Sequence, residues 1–117
     1  MQRKYSNSVR VFFPKFSLED VVKEVERCVY LFSERLALKK VILFGSYAKK
    51  RYTVASDIDL LVVFDNSKCT EDEVYKTLRK NIKIPRLELH ILPMEEYNMI
   101  KGSKWIKTIN EEGVKIL

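Results

Sequence analysis

The sequence predicts a small domain of the α/β class, α+β in type, built on one mixed β-sheet with flanking helices. Three observations lead there. Apolar runs of strand length, rich in β-branched and aromatic residues, stand at 40–44, 57–64 and 87–92, each bounded by Gly, Asp or Pro. Stretches with helical apolar spacing stand before the first run, between the second and third, and after the third. Only twelve residues join the first two runs, too few for a covering helix. That pair therefore reads as antiparallel and the sheet as mixed.

The chain has 117 residues, enough for one domain with a core of its own. Residues 1–117 read as that single domain, with 1–8 polar and flexible. Hydrophobic residues at 46% and charged residues at 32% exclude a disordered or fibrous chain. No stretch approaches the roughly 20 apolar residues of a bilayer span, so no membrane association is expected. The opening residues carry no long apolar h-region, and the expected location is cytoplasmic. Cys28 and Cys69 make neither a CxxC pair nor a disulfide framework. His90 is the one histidine, which leaves a structural zinc site short of ligands. The net charge of +6 favours anionic partners such as nucleotides, nucleic acids or an acidic protein. A lysine-rich solvated surface accounts for it equally well.

Taken in order, Val9 to Phe13 is a short apolar run ending at Pro14, an edge strand or an extended lead-in. Ser17 precedes Glu19 and Asp20 and reads as an N-cap with acids in the first turn. Leu18, Val21, Val22, Val25, Val29, Phe32 and Leu36 follow at steps of three and four, predicting a helix over 18–37. Residues 40–44 form a nearly continuous apolar run, a strand buried on both faces, and Gly45 ends it. Residues 46–50 have room for one helical turn. The second strand occupies 57–64. Thr70 and Glu73 make a capping-box pattern for a helix reaching about Asn81, and Pro85 blocks its continuation. The third strand, 87–92, stops at Pro93. Residues 94–110 read as one or two helices interrupted near Gly102, before a short apolar end at Val114 to Leu117.

The chemistry concentrates at 45–59 and at 88. Asp57 and Asp59 are two apart at the start of a strand, so both carboxylates face one side. Paired hard oxygens on a rigid edge suit Mg2+, which takes one or two carboxylates together with substrate phosphates. A solvated strand end explains the pair as well. Gly45-Ser46 follows a buried strand. Glycine lets backbone approach a ligand closely, exposed amides at a helical turn favour phosphate, and Lys49, Lys50 and Arg51 supply charge for a triphosphate. An ordinary strand-to-helix turn is the alternative. Glu88 alternates with Leu87 and Leu89 on the third strand. It is either a third carboxylate beside Asp57 and Asp59 or an exposed residue in water. Together the three acids and the turn describe a two-metal site for nucleotidyl transfer, with attack at an α-phosphate.

Gly45-Ser46, ten residues, then Asp57-Ile58-Asp59 match a Gly-Ser, x10, Asp-x-Asp signature. On these residues the sequence resembles the minimal nucleotidyltransferases of the DNA polymerase β superfamily, over nearly its whole length. The resemblance implies a palm-like nucleotidyltransferase fold and Mg2+-dependent transfer of a nucleoside monophosphate, AMP from ATP, to a hydroxyl acceptor. It implies that Gly45 and Ser46 hold the nucleotide phosphates. Asp57 and Asp59 are implied to bind metal, and Glu88 to be the third, catalytic carboxylate that assists the metal or accepts the acceptor's proton. Lys49 is the expected further nucleotide contact. The chain departs from the family pattern in two places. Lys49-Lys50 stands where Arg-Gly is frequent, and Glu88 stands where Asp is commoner. The same resemblance implies a setting: a HEPN-type toxin as partner and acceptor, with this chain as its antitoxin.

Two other accounts stay open, a binding module that neutralises its partner by contact, and a transferase for a small molecule or an RNA end. His90 is read as a structural residue or a proton shuttle beside Glu88. Tyr47 and Tyr52 are read as packing residues or as rings for a base. Trp105, Ile106 and Ile109 have helical spacing and read as core, or as a patch for a partner or a homo-oligomer. Nucleic acid is a conceivable partner of the basic surface, but no RRM, KH or zinc motif supports it.

Overall fold

Ser17 decides where the first helix starts. Its hydroxyl accepts from the Asp20 amide at 3.1 Å, and its own amide donates to the Asp20 carboxylate at 3.0 Å. These bonds satisfy donors that a helix start leaves open, and they hold the Asp20 carboxyl below the usual carboxylate range. The computed structural model describes residues 16–53 and 56–117. The expectations for residues 1–8 and for the 9–13 run lie outside the described residues.

Helix α1 spans Leu18–Phe32 and buries Val21, Val25, Cys28 and Val29. It is shorter than the predicted 18–37. After Phe32 a looser turn carries the chain to Leu36, which is fully buried. Ala37 then takes a left-handed φ of 53°. The Leu38 amide donates to the Ser33 carbonyl and the Ala37 amide to the Glu34 carbonyl, the crossed bonds that close a helix end. The apolar stripe reaches Leu36 because burial continues past the regular helix.

Strand β1 (Leu38–Phe44) pairs antiparallel with β2 (Ile58–Phe64), Leu43 opposite Leu60 and Phe44 opposite Asp59. β1 starts two residues before the predicted run, because Leu38 still pairs with Phe64 across an irregularity at Leu38/Lys40. Helix α2 (Glu71–Asn81) begins where the Thr70 hydroxyl accepts from the Glu73 amide at 3.2 Å. Strand β3 (Leu87–Pro93) lies parallel to β2. Helices α3 (Met94–Ile100) and α4 (Lys104–Glu112) follow, separated at Gly102 as predicted. A two-residue strand β4 (Val114–Lys115) pairs antiparallel with β1. The sheet order is β3-β2-β1-β4, mixed as expected.

Strand alternation divides the core between the two faces. Val41, Leu43, Leu60 and Val62 pack with α1 and α2. Ile42, Leu61 and Val63 pack with Tyr97 of α3 and Ile106 and Ile109 of α4. Each fully buried side chain of this size contributes about 1.5–3 kcal/mol. Residues 41–44 of β1 and 60–64 of β2 are therefore continuously apolar because both faces of the sheet are covered there. Cys28 and Cys69 are free thiols. Among the described residues no helix is long and apolar enough to cross a membrane.

Gly113 joins α4 to β4 under tight packing. A Cβ there would lie 2.5 Å from the Ile109 carbonyl oxygen and 2.5 Å from Ile42 Cγ2, whereas one at Gly102 meets nothing within 4 Å. Gly113→Ala is expected to lower the unfolding free energy by about 2 kcal/mol or more. Gly102→Ala should leave it unchanged or raise it by up to about 1 kcal/mol. Urea unfolding of both variants beside the parent chain checks the contrast.

Candidate active site

The last rung of the β1–β2 ladder places Phe44 opposite Asp59, and the chain must turn at the next residue. Gly45 does so with φ 82°, a left-handed conformation that side chains disfavour. There is also no room for one. A Cβ at Gly45 would lie 2.7 Å from Asp59 Oδ2. The carboxylate thus rests directly against the backbone of the turn expected to hold phosphates.

The turn itself is wound tightly. The Lys49 amide donates to the Gly45 carbonyl at 3.2 Å, Lys50 to Tyr47 at 3.1 Å, and Arg51 to Ser46 at 2.9 Å. The last two bonds form a helix-end closure in which the left-handed position belongs to Lys50, at φ 58°. This is the position where the family resemblance makes glycine frequent, and the lysine here adopts a conformation that glycine would take without strain. Ser46 is exposed. Tyr47 and Tyr52 stack on one another, their ring centroids 4.1 Å apart and 6° from parallel. The Tyr47 hydroxyl donates to the Phe16 carbonyl at 3.1 Å, and the Tyr52 hydroxyl accepts from the Leu18 amide at 3.2 Å. Both tyrosines therefore pin the turn to the start of α1, which is the packing role among the two expected of them.

Ile58 is buried against α1 and α2, so its neighbours Asp57 and Asp59 face the opposite side of the sheet. Asp59 is only 26% exposed, and His90 Nε2 lies 3.3 Å from its Oδ1. Asp57 is about half exposed and pairs with the Arg86 guanidinium at 3.5 Å. Glu88 is the register partner of Asp59 on β3. It alternates with buried Leu87, so it shares the face of Asp59, and it is exposed. The three acids share one face at one end of the sheet, Glu88 level with Asp59 and Asp57 two residues before it. Among the described residues, no three His, Cys, Asp or Glu side chains converge on a common point that would hold a metal ion. The donor chemistry nevertheless fits Mg2+: hard oxygens on a rigid strand, whose charge already draws the cationic Arg86 and the imidazole of His90.

Lys49, the expected further nucleotide contact, has an ion-pair partner within the chain. Its ammonium pairs with Glu112 of α4 at 2.9 Å. Arg86 was missed by sequence reasoning, since one arginine ahead of a strand gives no periodic signal. The fold brings it in because its carbonyl accepts from the Ile58 amide at 2.9 Å. Ile106 and Ile109 are core, as read, but Trp105 is not. It is 45% exposed, and its ring packs beside Phe44 and His90.

With this geometry in hand, comparison with known proteins is informative. Residues 18–115 match the family model described as a nucleotidyltransferase domain. A candidate protein adenylyltransferase of Methanocaldococcus jannaschii is 64% identical over 28 residues, 24% of this chain and 28% of that one. The chain thus spans under a third of the length of that curated relative. The crystal structure of a candidate nucleotidyltransferase from Sulfolobus solfataricus covers 84% of this chain and 80% of its own at a TM-score of 0.56 and 21% identity, a likeness of fold.

The two left-handed residues of the turn should respond with opposite signs. Gly45→Ala is expected to cost about 2 kcal/mol or more, from backbone strain and from the collision with Asp59. Lys50→Gly is expected to stabilise by about 1 kcal/mol, the left-handed penalty less the entropy that glycine adds to the unfolded chain. Thermal melts of the two variants give the signs directly.

Proposed function

The chain belongs to the nucleotidyltransferase domain family, and from that premise we propose that it transfers AMP from ATP to a hydroxyl of a partner protein, in a Mg2+-dependent reaction. The observation that carries this reading is the contact between Asp59 and Gly45. An acid paired with Asp57 on one sheet face abuts a side-chain-free turn, which is what phosphate and metal chemistry at one point requires.

The residues divide the work as follows. The backbone of Gly45-Ser46 and the Ser46 hydroxyl hold the nucleotide phosphates. Lys49, Lys50 and Arg51 are exposed around that turn and offset phosphate charge. Asp57 and Asp59 hold Mg2+, with Glu88 beside Asp59 on β3. When bound, the ion polarises the α-phosphate and neutralises charge on the departing pyrophosphate. Glu88 takes the proton from the acceptor hydroxyl onto its carboxylate. Its exposure leaves it open to an acceptor arriving from solvent.

The protein acceptor is proposed on the family resemblance, with Glu88 exposed to meet it. A surface cavity of about 790 Å3, lined by Val29, Tyr30, Leu38, Ile116 and Leu117, sits at the Leu38 end of β1, opposite the end that carries the acids. An acceptor that brings its own binding surface suits such a site. A HEPN-type toxin, with this chain as antitoxin, is the partner proposed on the family resemblance. Neutralisation by contact alone is the second reading, and the Asp57–Arg86 ion pair favours it, because one metal ligand is already engaged.

One experiment separates these readings. The chain is incubated with ATP labelled at the α-phosphate, Mg2+ and the protein encoded by the adjacent gene. Label should appear on that protein and fall by more than about a hundredfold with Asp57→Ala/Asp59→Ala. A partner still inhibited by the double variant, and never labelled by the parent chain, would establish contact neutralisation. Label on added RNA or a small molecule alone would replace the protein acceptor.

A further inference from the structure

Trp105 is the one tryptophan of the chain. It stands at the start of α4 beside Ile106, which is fully buried, yet it is itself 45% exposed. Its position is nevertheless fixed. Its ring meets Phe44 edge-on, at 6.1 Å between centroids and 86° between planes, and meets His90 at 6.1 Å and 65°. Phe44 and His90 contact each other at 5.2 Å. Edge contacts of this kind hold an indole while leaving part of its ring system free.

Both supporting rings belong to the candidate site. Phe44 precedes Gly45 and pairs with Asp59 in the ladder. His90 Nε2 lies 3.3 Å from Asp59 Oδ1. The indole is therefore one ring removed from the Asp59 carboxylate. The same helix reaches the phosphate turn: Glu112, seven residues on and so on the same helix face, holds Lys49 at 2.9 Å. α4 thus borders the acids with its first turn and the phosphate turn with its last.

We propose that Trp105 is the platform on which the base of the nucleotide stacks, held in place by Phe44 and His90. The inference rests on the reading of Gly45, Asp57 and Asp59 as a nucleotide site, and it names what holds the part of the nucleotide those residues leave untouched. Every base has a π-face, so stacking adds affinity without choosing among bases. Trp105 accordingly strengthens ATP and GTP binding alike.

The test uses the full chain with Mg2+, Trp105→Leu and Trp105→Phe, and calorimetry beside tryptophan emission. ATP should bind the parent chain and change its emission, whereas tripolyphosphate should bind without changing it. Trp105→Leu should weaken ATP about tenfold or more and leave tripolyphosphate binding as it was. Trp105→Phe should recover most of the affinity, and Trp105→Gln, which has no ring, serves as the probe if the leucine variant fails to fold. ATP binding with unchanged emission, or equal ATP affinity in the parent and in the variant without a ring at residue 105, overturns the platform alone. An emission change that tripolyphosphate reproduces does the same. A response to N-acetyltyrosinamide but not to ATP would assign the ring to the acceptor and overturn the proposal. Failure of ATP and tripolyphosphate to bind the parent chain would overturn the nucleotide reading with it.

Discussion

Everything at the polar end of this sheet depends on one steric fact: the Asp59 carboxylate occupies the space that a side chain at residue 45 would need. The antiparallel register sets Asp59 opposite Phe44, so the backbone of the acid is fixed beside the turn and only its side chain can turn away. The chain has to leave β1 through a left-handed residue without a Cβ. That requirement selects glycine and brings bare backbone against a carboxylate. The amides proposed to bind phosphate and the acid proposed to bind metal are thereby set side by side by strand pairing.

The second consequence is electrostatic. The face of the sheet that carries Asp59 is dry one residue pair further along, where Leu61 and Val63 pack under α3 and α4. Polar side chains at such a margin are paired where they leave water. The structure provides two partners, His90 at Asp59 and Arg86 at Asp57. Both arrive on the β3 side because β3 runs parallel to β2, which brings its start level with the acids. An antiparallel β3 would have placed Pro93 there instead of Arg86 and Glu88.

Much of this was legible in the sequence. The three main strands, the mixed pairing, the four helices and the shared face of Asp57 and Asp59 follow from period, caps and a short connection, because each is a local property. The nucleotidyltransferase fold expected from the signature is the fold found. What escaped has a common cause. The two-residue β4 is too short to show a period. Arg86 acts across a strand pair, not along one. Lys49 was assigned by its place in a basic cluster, but its partner Glu112 lies far away in sequence. Trp105 shares the helical spacing of Ile106 and Ile109, yet spacing gives no account of which residue meets the sheet and which meets its edge. The end of α1 was misplaced for the opposite reason. Burial continues through the turn at 33–37, so an apolar stripe overstates a helix that has already closed.

The turn at residues 45–50 is anchored unequally on its two sides. Towards α1, the stacked Tyr47 and Tyr52 rings and two hydrogen bonds to Phe16 and Leu18 fix it in partly buried surroundings. Towards α4, the link is the Lys49–Glu112 ion pair, with both side chains nearly half exposed. Exposed pairs of this kind contribute about 0–1 kcal/mol. The turn therefore keeps its shape from the tyrosine side, while the lysine on the other side is held weakly enough to exchange partners. A polyphosphate carries several charges against the single charge of Glu112. If it occupies the turn as proposed, it takes over Lys49 at little cost and leaves the backbone of the turn undisturbed.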